Sequence, residues 1–337
     1  MKEAMLYERS DNQKVKCHLC NHYCTILKGK RGTCGVRENR DGTLYSLVYG
    51  KVIATHIDPI EKKPLFHFMP GSRSYSIATV GCNFHCNHCQ NYDISQYPKE
   101  HGGIIPGRDM TIGQIVSEAE KTRCESISYT YTEPTIFFEL AYETSKLAKE
   151  RGIKNVFVSN GYTSPEATRL IAPYLDGNNI DLKSFSDEHY KKVCGAKLQP
   201  VLDTIRLMKE SGVWVEVTTL IIPTYNDSED ELRKIAAFIN SVDASIPWHV
   251  TQFYPTYKLL DQPRTPIKTL RRAREIGVEE GLRYVYEGNV PGEGGENTYC
   301  YRCGELLIQR YGFFINKNII KNSRCPRCDA VIDGVGM

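Results

Sequence analysis

Between residues 74 and 286 the chain alternates short β-branched or aromatic runs with amphipathic stretches, and no other feature narrows its fold so far. Runs at 74–80 (SYSIATV), 126–133 (SISYTYTE), 155–160 (NVFVSN), 179–183 (NIDLK), 213–222, 247–254 and 283–286 carry β character. Helical patterns fill the intervals. Thr111 with Gln114 and Ser228 with Glu231 form capping-box pairs, and Pro134 and Pro165 suit first helical positions. Short loops joining βα units predict a parallel sheet, because each crossover helix returns the chain to start another strand in the same direction. Six such units predict an α/β fold, a partial (β/α)6 TIM-like barrel, with its site at the C-terminal ends of the strands. Breaks near 59–71 and 288–295 divide the chain into a Cys-rich N-terminal module with a connector (1–70), a core (71–290) and a C-terminal Cys-rich ribbon (291–337).

The composition, 41% hydrophobic and 25% charged, excludes a disordered or fibrous chain. No apolar run reaches the roughly 18 residues of a membrane span, and the opening MKEAMLYERSDNQK lacks the apolar core of a secretory signal. The expectation is therefore a cytoplasmic chain without a membrane partner. In that compartment thiols stay reduced, so the thirteen cysteines point to metal ligation rather than disulfides. Basic charge collects in the two cysteine-rich ends. Residues 1–34 hold seven Lys/Arg against three acids and residues 300–328 hold six against one, which leaves the middle net acidic. Such ends suit either a solvated surface or an anionic partner.

Eleven of the cysteines fall into three groups. Cys82, Cys86 and Cys89, in GCNFHCNHCQN, have C-x3-C-x2-C spacing just after the first core strand. Three thiolates can hold three irons of a [4Fe–4S] cube and leave the fourth open, whereas electron-transfer clusters take four cysteines. The competing reading is a zinc site with a distant fourth ligand. Cys17, Cys20, Cys24 and Cys34 suit one four-sulfur site, which spacing alone leaves open between structural zinc and an auxiliary iron–sulfur cluster; His18 and His22 lie among them. The knuckles Cys300-x2-Cys303 and Cys325-x2-Cys328 have zinc-ribbon spacing. Cys124 and Cys194 stand alone and read as small packing residues.

The central trio in this position resembles the signature of the radical S-adenosylmethionine (radical SAM) superfamily. Longer stretches are similar to the radical SAM enzyme of the AmmeMemoRadiSam system, a relative of pyruvate formate-lyase activating enzyme. They are CHLCNHYC with GTCGVREN, DPIEKKPLFHFMPGS, GCNFHCNHCQNYDISQ, and YVYEGNVPG with ENTYCYRCG. The resemblance implies an oxidoreductase that binds SAM at the open iron and cleaves it reductively to a 5′-deoxyadenosyl radical for hydrogen abstraction. It implies Cys82, Cys86 and Cys89 as catalytic cluster ligands, with His88 packing on adenine. Thr132 and Glu133 correspond to a strand-end motif that receives the SAM amino group. Ser159 and Asn160 end the next strand, Asp181 and Lys183 match an Asp-Leu-Lys that contacts SAM, and His249 stands where relatives place a histidine near the methionine moiety. A ferredoxin- or flavodoxin-like electron donor and an association with Memo and AMMECR-type proteins follow from the same resemblance. The implied substrate is a protein glycine, with a small metabolite or RNA as alternatives. The competing class is a non-catalytic, metal-stabilised nucleic-acid-binding protein.

Overall fold

In a computed structural model describing residues 1–337, the centre of the molecule is one eight-stranded sheet. Its strands are β1 (Ala54–Pro59), β2 (Arg73–Ala78), β3 (Ser126–Tyr129), β4 (Lys154–Ser159), β5 (Gly177–Asp181), β6 (Trp214–Ile221), β7 (Trp248–Gln252) and β8 (Val285–Gly288). They lie side by side in chain order. From β2 to β8 every neighbouring pair is parallel, while β1 pairs antiparallel with β2. The two edges, β1 and β8, do not pair with each other, so the sheet is a partial barrel. The antiparallel β1 was not visible in the sequence pattern, because its burial does not alternate cleanly and it ends in proline.

The crossover helices are α1 (Ile112–Lys121), α2 (Phe138–Glu150), α3 (Pro165–Ile171), α4 (Gln199–Glu210), α5 (Glu229–Val242) and α6 (Ile267–Glu279). The Thr111 hydroxyl accepts from the Gln114 amide at 3.2 Å, and the Gln114 side chain accepts from the Thr111 amide at 2.8 Å. That closes the capping box predicted there. Each helix buries one stripe against the sheet: Ile115, Val116 and Ala119 in α1, and Leu232, Ile235, Ala236 and Ile239 in α5.

The two ends pack differently. Val15, Leu19, Val36 and Leu44 of the N-terminal segment belong to the same apolar cluster as the barrel interior. The C-terminal strands Thr298–Tyr299, Leu306–Tyr311 and Phe314–Asn318 form an antiparallel sheet over a separate small cluster that includes Leu307, Ile308 and Ile332. Phe66 and Tyr286 join that cluster from the connector and from β8. No helix is long and apolar enough to cross a membrane.

Candidate cluster and cofactor site

The C-terminal end of β2 leads through Gly81, at φ +101°, into the loop that carries Cys82, Cys86 and Cys89. Backbone bonds shape this loop. The His85 and Asn87 amides donate to the carbonyls of Cys194 and Val193 at 3.1 and 3.0 Å, and the Cys89 amide donates to the Cys86 carbonyl at 3.2 Å. The Phe84 amide points at the Cys82 sulfur at 3.4 Å, and the Cys89 sulfur lies 3.2 Å from the Ser95 hydroxyl. Burial pushes the Cys82 and Cys89 thiols up, so these sulfurs need a cationic group to become thiolates. The three sulfurs do not converge to within 4.8 Å of one another, which is too wide for one zinc ion and leaves room for a polynuclear centre. A three-cysteine [4Fe–4S] cluster fits this donor set.

Around the loop the strand ends supply polar groups. Glu133, after β3, is buried and accepts at Oε1 from the Thr135 amide (3.0 Å), the Thr135 hydroxyl (2.6 Å) and the Ser159 hydroxyl (2.8 Å). Its Oε2 accepts only from the Asn160 amide, at 2.8 Å. Burial outweighs these donors and pushes the Glu133 carboxyl up. The Asn160 side chain donates to Asn83 at 2.7 Å, which ties the end of β4 to the cysteine loop. The Thr132 hydroxyl donates to the Thr79 carbonyl at 2.8 Å, close to where the chain leaves β2 for the cysteine loop.

On the next strand, Lys183 Nζ lies 2.8 Å from Asp181 Oδ2, and the Lys183 amide donates to the Tyr190 hydroxyl at 3.0 Å. Burial pulls the Lys183 ammonium down, but Asp181 and the nearby Cys86 outweigh it and hold it up. His88 is buried and held neutral, since burial and the charge of Lys183 both disfavour its protonation. His249, on β7, is in register with Thr218 of β6, which pairs in turn with Asp181 of β5. Its Nε2 is 2.7 Å from Glu216, and its ring packs edge-on against Phe66. Glu216 also accepts from the Phe66 and His67 amides, so this histidine belongs to the junction between connector and barrel.

Cys194, which the sequence marks only as an isolated cysteine, lies with Cys86 and His88 in a group whose ligand atoms are all within 4.8 Å. The adjacent Gly195, at φ +71°, is what admits the loop, because a Cβ there would fall 1.8 Å from the His85 ring. That glycine was the one signal in the sequence that could have drawn attention to Cys194. Cys124, by contrast, is buried beside Thr122, apart from the three groups. A cavity of about 340 Å³ opens at the barrel mouth, lined by Gln90, Tyr254, Glu287, Asn289, Glu296 and Phe313 among others. Gln90 immediately follows Cys89.

At the C-terminal end, Cys300 and Cys328 are 3.6 Å apart and Cys303 and Cys325 are 3.7 Å apart, with all four sulfurs within 4.8 Å of one another. A tetrahedron with Zn–S bonds of about 2.3 Å has edges of about 3.8 Å. This group can hold a single metal ion.

Residues 76–239 match the Radical SAM superfamily. The chain is 51% identical over 337 residues to an uncharacterized protein of Methanocaldococcus jannaschii, covering 99% of each. It is 22% identical over 230 residues to the pyruvate formate-lyase-activating enzyme of Clostridium pasteurianum, covering 65% of this chain and 93% of that one. Among solved structures, a radical SAM methyltransferase from Sphaerobacter thermophilus aligns with TM-score 0.53 and 16% identity, covering 71% of each chain. SuiB of Streptococcus suis bound to S-adenosylmethionine aligns with TM-score 0.51 and 13% identity, over 68% of this chain and 53% of that one. The family implies a [4Fe–4S] cluster, SAM and an electron donor. With its partial barrel, three-cysteine loop and homology to pyruvate formate-lyase activating enzymes, the chain belongs to the radical SAM superfamily.

Proposed function

We propose that this protein cleaves SAM reductively at a [4Fe–4S] cluster held by Cys82, Cys86 and Cys89, and directs hydrogen abstraction at a substrate in the adjoining barrel-mouth cavity. The observation that carries this reading is the open three-sulfur loop set against a strand-end carboxylate with one unfilled position. Such a cluster, when bound, supplies the electron that splits SAM into methionine and a 5′-deoxyadenosyl radical able to take a hydrogen atom from the substrate. The protein's part is orientation and exclusion of water. Glu133 Oε2, with a single donor, is the acceptor for the SAM ammonium, while Ser159 and Asn160 hold that carboxylate in place. Asp181 and Lys183 offer opposite charges for the remaining SAM groups, and His88 offers a neutral ring for the adenine. His249, engaged by Glu216, acts in this reading on the barrel scaffold rather than on SAM.

Homology to glycyl-radical activating enzymes favours a glycine of a partner protein as the site of abstraction. The cavity of about 340 Å³ is also of a size for a small metabolite. We assign zinc to Cys300, Cys303, Cys325 and Cys328 from their spacing. A ferredoxin- or flavodoxin-like protein is the proposed donor, and Memo and AMMECR-type proteins are proposed associates. The deciding test is 5′-deoxyadenosine formation by anaerobically reconstituted, reduced protein given SAM, beside a Cys86→Ala control. Product that depends on Cys86 supports the reading. A protein that holds a [4Fe–4S] cluster on Cys82, Cys86 and Cys89 and binds SAM yet forms no product, with any reductant and with candidate partners present, overturns it.

A further inference from the structure

The chain contains three groups of metal-ligating cysteines, and their sulfurs fall into two spacing classes. In the C-terminal group all four sulfurs lie within 4.8 Å of one another, contracted to the size of a single tetrahedral ion. The catalytic trio is not contracted in this way, as befits a loop that wraps a cube of iron and sulfide. Cys17, Cys20, Cys24 and Cys34 follow the second pattern: no three of their sulfurs lie within 4.8 Å of one another. All four nonetheless line one cavity, closed by apolar side chains that include Ile26 and Ile136. Four cysteines that line a shared space, with no three of their sulfurs gathered at single-ion spacing, suit a polynuclear centre better than one zinc ion.

The charge at this wall points the same way. Arg37 lines the cavity and is 1% exposed. Its Nη2 donates to the Met5 carbonyl and to Glu139, but its Nε and Nη1 have no partner. Orphaned N–H groups on a buried guanidinium are destabilising unless an acceptor meets them. Sulfides and thiolates of an anionic centre are such acceptors.

We infer that Cys17, Cys20, Cys24 and Cys34 bind a second, fully cysteine-ligated [4Fe–4S] cluster with Arg37 as a hydrogen-bond donor to it. This centre stands beside the catalytic loop. The Cys34 carbonyl would be 3.2 Å from a Cβ on Gly81, the residue before Cys82. The His22 ring donates from Nε2 to the Asn83 carbonyl at 2.8 Å, since a carbonyl can only accept.

The test is independent of SAM chemistry. Anaerobically purified Cys82→Ala/Cys86→Ala/Cys89→Ala protein is expected to retain about four irons and about four sulfides per chain, with one zinc and a [4Fe–4S] Mössbauer doublet. The unmutated protein is expected to carry about eight irons and one zinc. Adding Cys17→Ala and Cys34→Ala to the triple variant should remove the remaining iron and leave both the C-terminal zinc and the helical circular dichroism of the barrel, which together report that the chain is folded. An unmutated protein with about four irons and two zincs, or a folded triple variant without iron, overturns the assignment.

Discussion

Gly81 shows how far one backbone position can govern the site. At φ +101° only glycine sits without strain, and a Cβ there would fall 2.6 Å from Val36 Cγ1 as well as 3.2 Å from the Cys34 carbonyl. Substituting Gly81→Ala therefore has to push apart the N-terminal segment and the cysteine loop. We expect a loss of about 1–3 kcal/mol in folding stability and a fall in cluster occupancy, read by denaturant titration and by iron content. Unchanged iron content would mean that the loop tolerates the shift. At this scale the sequence was informative wherever spacing carries the chemistry. The C-x3-C-x2-C loop, the four-sulfur groups and the strand-end polar residues could all be named beforehand. Arg37 could not, because nothing in the residues around it announces that a guanidinium lines a space shared by four cysteines, and for Cys194 only the neighbouring Gly195 hints that the turn after β5 closes onto the cysteine loop.

Elements were legible where local signals are strong. Helices α1 and α5 start where predicted, at the N-caps Thr111 and Ser228, but only Thr111 closes a capping box: at Ser228 the hydroxyl accepts from the Glu231 amide, while the Glu231 carboxylate is taken by Ser184 and the Phe185 amide. The edge strand β1 was missed, since its partner β2 and the Asp58–Lys63 ion pair lie in contacts the local pattern does not encode. The C-terminal ribbon combines both kinds of information: its knuckles are local, but its small core depends on Phe66 and Tyr286 from elsewhere. We expect so small a cluster to rely on the metal proposed for its four cysteines. Stripping the C-terminal metal with a strong chelator is expected to make residues 300–328 susceptible to limited proteolysis while the barrel stays helical by circular dichroism. Continued protection after metal loss would show that packing alone holds the ribbon.

At the scale of the whole molecule, one buried chain of hydrogen bonds joins connector, barrel and ribbon. Arg310 donates to the Thr298 hydroxyl at 2.7 Å, and Thr298 lies 2.9 Å from the Tyr286 hydroxyl. Tyr286 in turn meets His67 Nε2 at 2.5 Å, and His67 Nδ1 donates to the Asp333 carbonyl at 2.6 Å. With the imidazole neutral, Nδ1 is the donor and Nε2 accepts from the Tyr286 hydroxyl. Burial lowers the His67 pKa from 6.5 to about 4, despite the opposing pull of Glu216. Between those values the unfolded chain binds the proton that the folded chain refuses, so stability falls as pH falls. The expected loss from His67 is about 3 kcal/mol across that window. It should appear as a steeper pH dependence of the denaturation midpoint in the unmutated protein than in His67→Gln. Equal slopes would remove His67 from the account.

The sequence by itself determined the alternation that builds a parallel sheet, the end of the sheet where chemistry is placed, and the existence of three cysteine groups, because periodicity, caps and ligand spacing are local properties of the chain. Only the tertiary structure decided that the N-terminal segment shares the barrel's core and docks on the cysteine loop. It also decided that His249 is committed to Glu216 and that the terminal cysteine groups differ in sulfur spacing. These are relations between residues tens to hundreds of positions apart. They are set by which surfaces meet when the sheet curves, and no local pattern records them.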